Sequence, residues 1–130
     1  MNHATFVKVM KDREKFVEEL FKISGQIRYI AVYDQDDLFM KQRSDIFNVS
    51  ASESDKYEEL LVNPTLIKLA SQRGNIDCGG LEFLIIRYGN FFVLLVPGKN
   101  GHINIGLEPD QNPVLLVEPL RELLKKYNLN

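Results

Sequence analysis

Few residues in this chain of 130 could act as an acid, a base or a nucleophile. There are two histidines, His3 and His102, and His3 lies close to the start of the sequence. His102 follows a predicted turn and has no serine, cysteine or acid nearby in sequence that would define a catalytic arrangement. The pattern favours a surface or hydrogen-bonded histidine over a catalytic one.

The single cysteine, Cys78, lies between Asp77 and Gly79-Gly80, which predicts an exposed thiol in a loop. A nucleophilic thiol needs a neighbouring cation or base that lowers its pKa, and Arg73 is the nearest basic residue along the chain. We therefore interpret Cys78 as a passive thiol. One cysteine and two histidines cannot by themselves supply a standard structural zinc site.

Clustered carboxylates are the next candidates. Asp34, Asp36 and Asp37 invite a cation-site hypothesis, but the downstream glycine and bidentate glutamate of a calcium loop are missing. The pairs Glu18-Glu19 and Glu58-Glu59 fall on predicted helices, where adjacent side chains point about a hundred degrees apart. We expect both pairs to lie on solvated faces, and we expect no metal, cofactor or catalytic residue.

The segment Pro97 to Gly101 combines glycine and lysine as a phosphate-binding loop does. It lacks the first glycine at the required spacing, and no serine or threonine follows Lys99 to bind magnesium. It also joins two predicted strands instead of leading into a helix. The segment therefore predicts a hairpin turn.

Charge and length narrow the class of protein. With 16 Lys and Arg against 18 Asp and Glu, the net charge of -2 offers no general attraction to nucleic acid. Charged residues interrupt the apolar residues near the N-terminus, which predicts neither a signal sequence nor membrane insertion. The length favours a single domain over residues 1–130, and one cysteine without a signal sequence indicates the cytoplasm.

Hydrophobic periodicity predicts the elements that would position these groups. An amphipathic helix spans Thr5 to Ser24, and strands at Ile27 to Asp34 and Leu38 to Lys41 form a hairpin. A second helical region follows, and Asn63-Pro64 interrupts it. Asn63 as a cap and Pro64 at the first position would restart a helix there, so we expect a kink or two helices.

The last half of the chain predicts an antiparallel meander and a final helix. The strands are Leu81 to Tyr88, Phe91 to Val96 and His102 to Leu107, and the helical segment spans Asn112 to Tyr127. Pro119 removes one intrahelical hydrogen bond, so either the regular helix begins there or the segment bends there. A two-residue loop at Gly89-Asn90 would place Ile86 opposite Val93 and Leu84 opposite Leu95. The central strands are apolar at both parities, so helices should cover both faces of the sheet. The predicted fold class is α+β, with one five-stranded antiparallel sheet and the order α-β-β-α-β-β-β-α.

In this order the chain resembles the roadblock and dynein light-chain family, within the profilin-like and longin-like group of folds. The resemblance covers roughly Phe6 to Tyr127. The resemblance rests on three segments: Ile30 to Asp34 leading into Leu38, Phe83 to Leu95 across Gly89-Asn90, and Gly101 to Gly106.

The resemblance implies a sheet with the middle helix on one face and the terminal helices on the other. It implies a noncatalytic scaffold that forms a homodimer, or a heterodimer with a paralogous roadblock-like chain, through the middle helix and third strand. Some such proteins regulate small GTPases or belong to motor complexes. By this analogy the self-association surface comprises Tyr57, Leu61, Leu66, Leu69, Ala70, Leu81 and Phe83.

Three features depart from the family pattern. Asp37 stands where a glycine often follows the aspartate of the first hairpin. Asn63-Pro64 interrupts the middle helix, which could alter the dimer surface or abolish it. In the last strand, the alternate residues His102, Asn104 and Gly106 are polar or small and point to the same face of the sheet. That face of the strand either allows a helix to pack closely or is exposed to water.

Two other classes of function stay open at the level of sequence. A ligand-sensing domain of the PAS or GAF type, or a profilin-like binding domain, would suit the composition, although apolar residues more often fill a core than line a pocket. An enzyme would need a site assembled from distant positions, such as His102 with Asp34 or Cys78.

Overall fold

The computed structural model describes residues 2–46 and 51–130, and the side chains of all of these except residues 51 and 52. Within these residues, four α-helices and five strands form the fold, together with a π-helical turn (Glu58–Val62) and a 3₁₀ turn (Pro113–Leu116). The helices are α1 (His3–Ile23), α2 (Ala51–Tyr57), α3 (Asn63–Asp77) and α4 (Val117–Lys126), and the strands are β1 (Ile27–Asp34), β2 (Asp37–Gln42), β3 (Leu84–Arg87), β4 (Phe92–Gly98) and β5 (Gly101–Leu107).

The strands form one antiparallel sheet in the order β2-β1-β5-β4-β3. The predicted fold class is confirmed, and β1 has the predicted bounds. The last strand in sequence lies in the middle of the sheet, paired with β1 on one side and β4 on the other. The strands at the two edges are β2 and β3.

The first hairpin tolerates Asp37 because the turn lies one residue earlier. Asp34 pairs with Asp37, and the two turn residues Gln35 and Asp36 have φ of 52° and 69°. Positive φ at both central residues is the type I′ pattern, whose twist suits the flanking strands. Asp37 is therefore the first residue of β2, where glycine is not required.

The predicted second hairpin has the expected register. Leu84 pairs with Leu95 and Ile86 with Val93, as a two-residue loop at Gly89-Asn90 requires. β3 is shorter than predicted, however, since it begins at Leu84 instead of Leu81. The residues before Leu84 form the C-terminal end of α3 and the turn that follows it. The Gly80 N–H donates to the Gly74 carbonyl, and Gly79 and Gly80 have φ of 83° and 91°.

One face of the sheet holds the main apolar core. α1 and α4 contribute Phe16, Leu20, Leu120 and Leu124, all buried. The facing strand residues alternate along each strand as the pleat demands. They include Ile30, Val32, Leu94, Val96, Ile103, Ile105 and Leu107.

The other face is covered by α2, the π-helical turn and α3. The interruption at Asn63-Pro64 takes a different form from the one predicted. The Asn63 N–H donates to the Glu58 carbonyl five residues earlier, which is π-helical bonding, and Pro64 then occupies the start of α3. Asn63 does not cap α3, because Val62 takes the cap position and the Asn63 side chain points into the protein.

Candidate functional site

A buried carboxylate joins the π-helical turn to the sheet. Glu59 is fully buried, with 0% of its surface exposed. Its Oε1 accepts a hydrogen bond from Asn63 Nδ2 at 2.8 Å and lies 2.8 Å from His102 Nε2. Its Oε2 accepts from Asn104 Nδ2 at 2.7 Å and from the Tyr29 hydroxyl at 2.9 Å. We call these five residues the Glu59 cluster.

The cluster is built by the two central strands and the helical break. His102 and Asn104 are alternate residues of β5, so both point to the face that the middle helix covers. Tyr29 lies on the adjacent strand β1, where it pairs with Gly106. A Cβ at position 106 would lie 3.3 Å from Tyr29 Cβ, so the glycine leaves room for the tyrosine.

The arrangement anchors the helix and leaves little capacity for acid–base work. A carboxylate has about four lone-pair sites, and the four neighbours of Glu59 fill them. The His102 ring also stacks on Tyr33, with the ring centroids 5.6 Å apart. Burial, followed by the charge of Glu59, raises the pKa of Tyr29 far above its usual range, so its hydroxyl keeps the proton that it donates.

The expectation of a solvated Glu58-Glu59 pair is therefore wrong. Glu59 is buried, and Glu58 is partly buried beside it. Desolvation, then repulsion from Glu59 and Asp55, raises the pKa of Glu58 to about 7. Desolvation, then Glu59, raises the pKa of Asp55 to about 6. Three carboxyl groups thus share one poorly solvated region at the end of α2 and the start of the π-helical turn.

A cavity of about 250 Å³ adjoins this region, between α2 and the sheet. Asp55, Glu58 and Asn104 line it on the polar side, and Phe91 and Val93 are among its apolar lining residues. Within the described residues, Glu58 Oε1 and Asn104 Oδ1 are buried and have no hydrogen-bond partner. The cavity is therefore bordered by unused acceptors.

The residues of the predicted self-association surface lie on the middle helical region, which comprises α2, the π-helical turn and α3, and on the segment that leads into β3. Tyr57, Leu61 and Leu69 are 63%, 52% and 61% exposed on the outer side of the middle helical region. The remaining four are half-buried: Leu66, Ala70, Leu81 and Phe83. Leu60 and Ile76 are further exposed apolar residues of the same region.

Phe83 differs from the other residues of this surface. It precedes β3 and packs against the apolar core, whereas the middle helical region covers the opposite face. Leu81 follows Gly80, whose backbone packs against Gly74 at the end of α3. The segment leading into β3 therefore connects the helix surface to the edge of the sheet.

The other chemistry-bearing residues are held apart from one another. Asp34 Oδ2 accepts from Arg13 Nη2 at 3.1 Å, and Arg13 is buried with 3% exposed. Cys78 Sγ lies 3.3 Å from Asp77 Oδ1, and Arg73 pairs with Asp77 at 2.6 Å. Among the described residues, no hydrogen bond joins His102 to Asp34, Cys78 or any serine.

The described residues hold neither a metal-binding cluster nor a membrane-spanning helix. Over residues 2–46 and 51–130, no set of three or more His, Cys, Asp or Glu side chains has an arrangement suited to holding a metal ion. Over the same residues, none of the helices combines the length and apolar character that crossing a membrane requires.

The Glu59 cluster was missed at the level of sequence, although one signal pointed to it. His102, Asn104 and Gly106 break the apolar pattern of a strand that lies in the middle of the sheet. Buried polar side chains require hydrogen-bond partners. If His102 and Asn104 are buried, the helix that covers their face of the sheet must therefore carry a polar side chain. Glu59 and Asn63, four positions apart around the helical break, meet that demand.

Comparisons with known proteins bear on the fold alone. No protein-family model and no curated protein matches the sequence. Among solved structures, the chain is similar to a Roadblock/LC7 domain from Streptomyces avermitilis, with a TM-score of 0.61 and 12% sequence identity. The match covers 85% of this chain and 90% of that one. The chain therefore has a roadblock-like fold, as the sequence resemblance predicted.

Proposed function

We propose that this protein is a noncatalytic interaction module that dimerises through the middle helical region and β3. The roadblock-like fold supports a small protein-interaction module. The observation that carries the dimer proposal is the exposure of Tyr57, Leu61 and Leu69 on the outer side of the helices. We call these three, together with the half-buried residues Leu66, Ala70, Leu81 and Phe83, the helix–edge surface.

The exposure of this surface favours a protein partner. Tyr57, Leu61 and Leu69 are each more than half exposed, and Leu60 adds to them. Water-exposed apolar side chains gathered on one face of a helix have a free-energy cost that burial against a partner removes. A second copy of the chain presents the same residues, so apolar contact would be reciprocal in a symmetric dimer.

The edge strand offers a second kind of contact. β3 pairs with β4 on one side, and within the described sheet its other side carries no strand. An unpaired strand edge presents backbone N–H and C=O groups to another chain. Backbone hydrogen bonds at β3 would fix the orientation of the partner chain, and apolar contact at α3 would bury exposed side chains.

The Glu59 cluster suits such a module because it fixes the helical region that carries the surface. Four hydrogen bonds tie Glu59 to its own helix and to two strands. These hydrogen bonds occupy the lone pairs of Glu59, so the buried carboxylate has no free acceptor for a reacting group. This supports a noncatalytic role.

The test is the oligomeric state at micromolar concentration, measured by light scattering. We expect a dimer for the native chain and a folded monomer for Leu69→Glu. Leu115→Glu is the matched control, because Leu115 is also largely exposed but lies on the 3₁₀ turn outside the helix–edge surface. A monomeric native chain, or a dimer unaffected by Leu69→Glu, would contradict the proposal.

The partner class is a finer part of the same proposal. We propose a second copy or a paralogous roadblock-like chain as the dimer partner, and a small GTPase as a candidate regulatory target. The support for the GTPase is the family resemblance alone. A pull-down from the native organism with the native chain and with Leu69→Glu, read by mass spectrometry, tests it. Recovery of no small GTPase with the native chain would count against this target.

A further inference from the structure

We propose that the cavity between α2 and the sheet binds a small organic cation that carries a protonated primary amine. This inference goes beyond the proposed dimer and does not depend on it. The cavity is lined by Asp55 of α2, Glu58 of the π-helical turn, Tyr29 of β1 and Asn104 of β5. Tyr29 and Asn104 also belong to the Glu59 cluster, so the cavity borders that cluster.

Two buried polar atoms at the cavity are acceptors that no described residue uses. Asn104 is 1% exposed and directs its Nδ2 to Glu59, while its Oδ1 is buried without a partner among the described residues. Glu58 Oε1 is buried and unpartnered in the same way. Both atoms are acceptors, and a buried acceptor without a hydrogen-bond partner is unfavourable. An ammonium group supplies three donors and no acceptor, which suits this pair.

The charge of the lining also favours a cation. Asp55 and Glu58 face the cavity, and Glu59 lies behind it. Arg28 is the cationic residue of the lining, but its Nη1 is bound to Glu108 at 2.9 Å. Desolvation and the charges of neighbouring carboxyl groups raise the pKa of both Glu58 and Asp55, and the Asn104 side chain offsets this only in part for Glu58. A bound cation would relieve both effects.

Size and apolar lining define the rest of the ligand. The volume of about 250 Å³ is at the low end for small-molecule sites and suits a ligand of few heavy atoms. Ile46, Phe91 and Val93 line the cavity together with Tyr29. An alkyl or aryl amine could place its ammonium group at Glu58 and its apolar part against these side chains.

Protons compete with such a ligand. Glu58, with a pKa of about 7, and Asp55, with a pKa of about 6, must be ionised to attract the ammonium group. Tyr88 near Glu58 keeps its proton, because its pKa is raised. Binding should therefore strengthen from pH 6 to pH 8, and binding near pH 7 should release protons into the buffer.

The probes are butylamine and phenethylamine, with 1-butanol and butyrate as neutral and anionic controls of similar shape. Binding is followed at pH 8 by NMR shifts of the Tyr29 and Asn104 amides in the full chain. We expect saturable shifts with at least one amine and none with 1-butanol or butyrate. Glu58→Gln should weaken amine binding about tenfold or more, because a charged hydrogen bond is lost. Glu122→Gln, on the exposed side of α4, should leave it unchanged.

Four results would overturn the proposal. They are the absence of a saturable shift with either amine, equal binding of 1-butanol, equal amine affinity in Glu58→Gln, and an affinity that does not rise between pH 6 and pH 8. Each is read on the chain whatever its oligomeric state. A chain that does not bind the amine would therefore contradict the amine-binding proposal and leave the dimer proposal unaffected. A monomeric chain that binds the amine would contradict only the dimer proposal.

Discussion

His102 Nε2 lies 2.8 Å from Glu59 Oε1, which joins β5 to the π-helical turn across 43 positions of sequence. Both residues are almost completely buried, with 2% and 0% of their surfaces exposed. A buried carboxylate is stable only when its lone pairs are occupied, and Glu59 meets this condition through side chains of three separate segments. The contact therefore fixes where the middle helical region lies on the sheet.

Glu59→Gln tests this anchoring. The amide keeps the shape of the carboxylate, but its NH₂ would face the donors that now point at one of the oxygens. A buried donor without an acceptor costs about 1–3 kcal/mol, and two would be affected, so we expect the free energy of unfolding to fall by about 2–6 kcal/mol. Urea denaturation measures the change. Glu14→Gln on the exposed side of α1 is the matched control, with an expected change within about 0.5 kcal/mol.

Gly101→Ala tests the close approach of β1 and β5. A Cβ at Gly101 would overlap the Tyr33 carbonyl oxygen on the neighbouring strand, so the two strands would have to separate. We expect a loss of stability above about 2 kcal/mol. Gly89→Ala lies in the β3–β4 hairpin, where a Cβ meets nothing within 4 Å, and should change the stability little. Equal effects of the two substitutions in thermal denaturation would contradict the described strand contact.

Stability should rise as the pH falls from 8 to 5.5. The pKa values of Glu58 and Asp55 are raised in the folded protein to about 7 and about 6, so the folded state binds more protons than the unfolded state in this window. Protonation therefore favours folding, and the unfavourable contribution of these carboxyl groups is fully present only above the folded pKa values. Urea denaturation at several pH values measures the slope.

Glu58→Gln is the variant that assigns this slope. The neutral amide removes the repulsion with Asp55 and Glu59, so the variant should be more stable than the native chain at pH 8 and show a flatter pH dependence. Glu122→Gln, exposed on α4, should keep the native slope. A Glu58→Gln variant with the same slope as the native chain would contradict the assignment of this slope to Glu58.

The sequence predicts the elements of this fold because local patterns determine them. Alternation and β-branched residues define β1, and the Gly89-Asn90 loop determines the pairing of Leu84 with Leu95. The shortening of β3 was not predicted, because it depends on how Gly79 and Gly80 close the end of α3.

The candidate site resists prediction for a different reason. The partners of Glu59 include residues 30, 43 and 45 positions away, and no local pattern brings them together. Regular α-helical spacing predicts that Glu58 and Glu59 face solvent. That spacing includes neither the π-helical turn nor the buried polar side chains of β5. The exposed apolar residues of the middle helical region, in contrast, follow from helical spacing alone.

The most direct test of the dimer proposal uses the native Cys78. This thiol is exposed and is the only cysteine of the chain, and it lies directly after α3, beside the helix–edge surface. A spin label on Cys78 should give a defined intermolecular distance in a pulsed dipolar measurement. Leu69→Glu should abolish that distance, and Leu115→Glu should preserve it. Absence of an intermolecular distance in the native chain, or its persistence in Leu69→Glu, would contradict dimerisation through this surface.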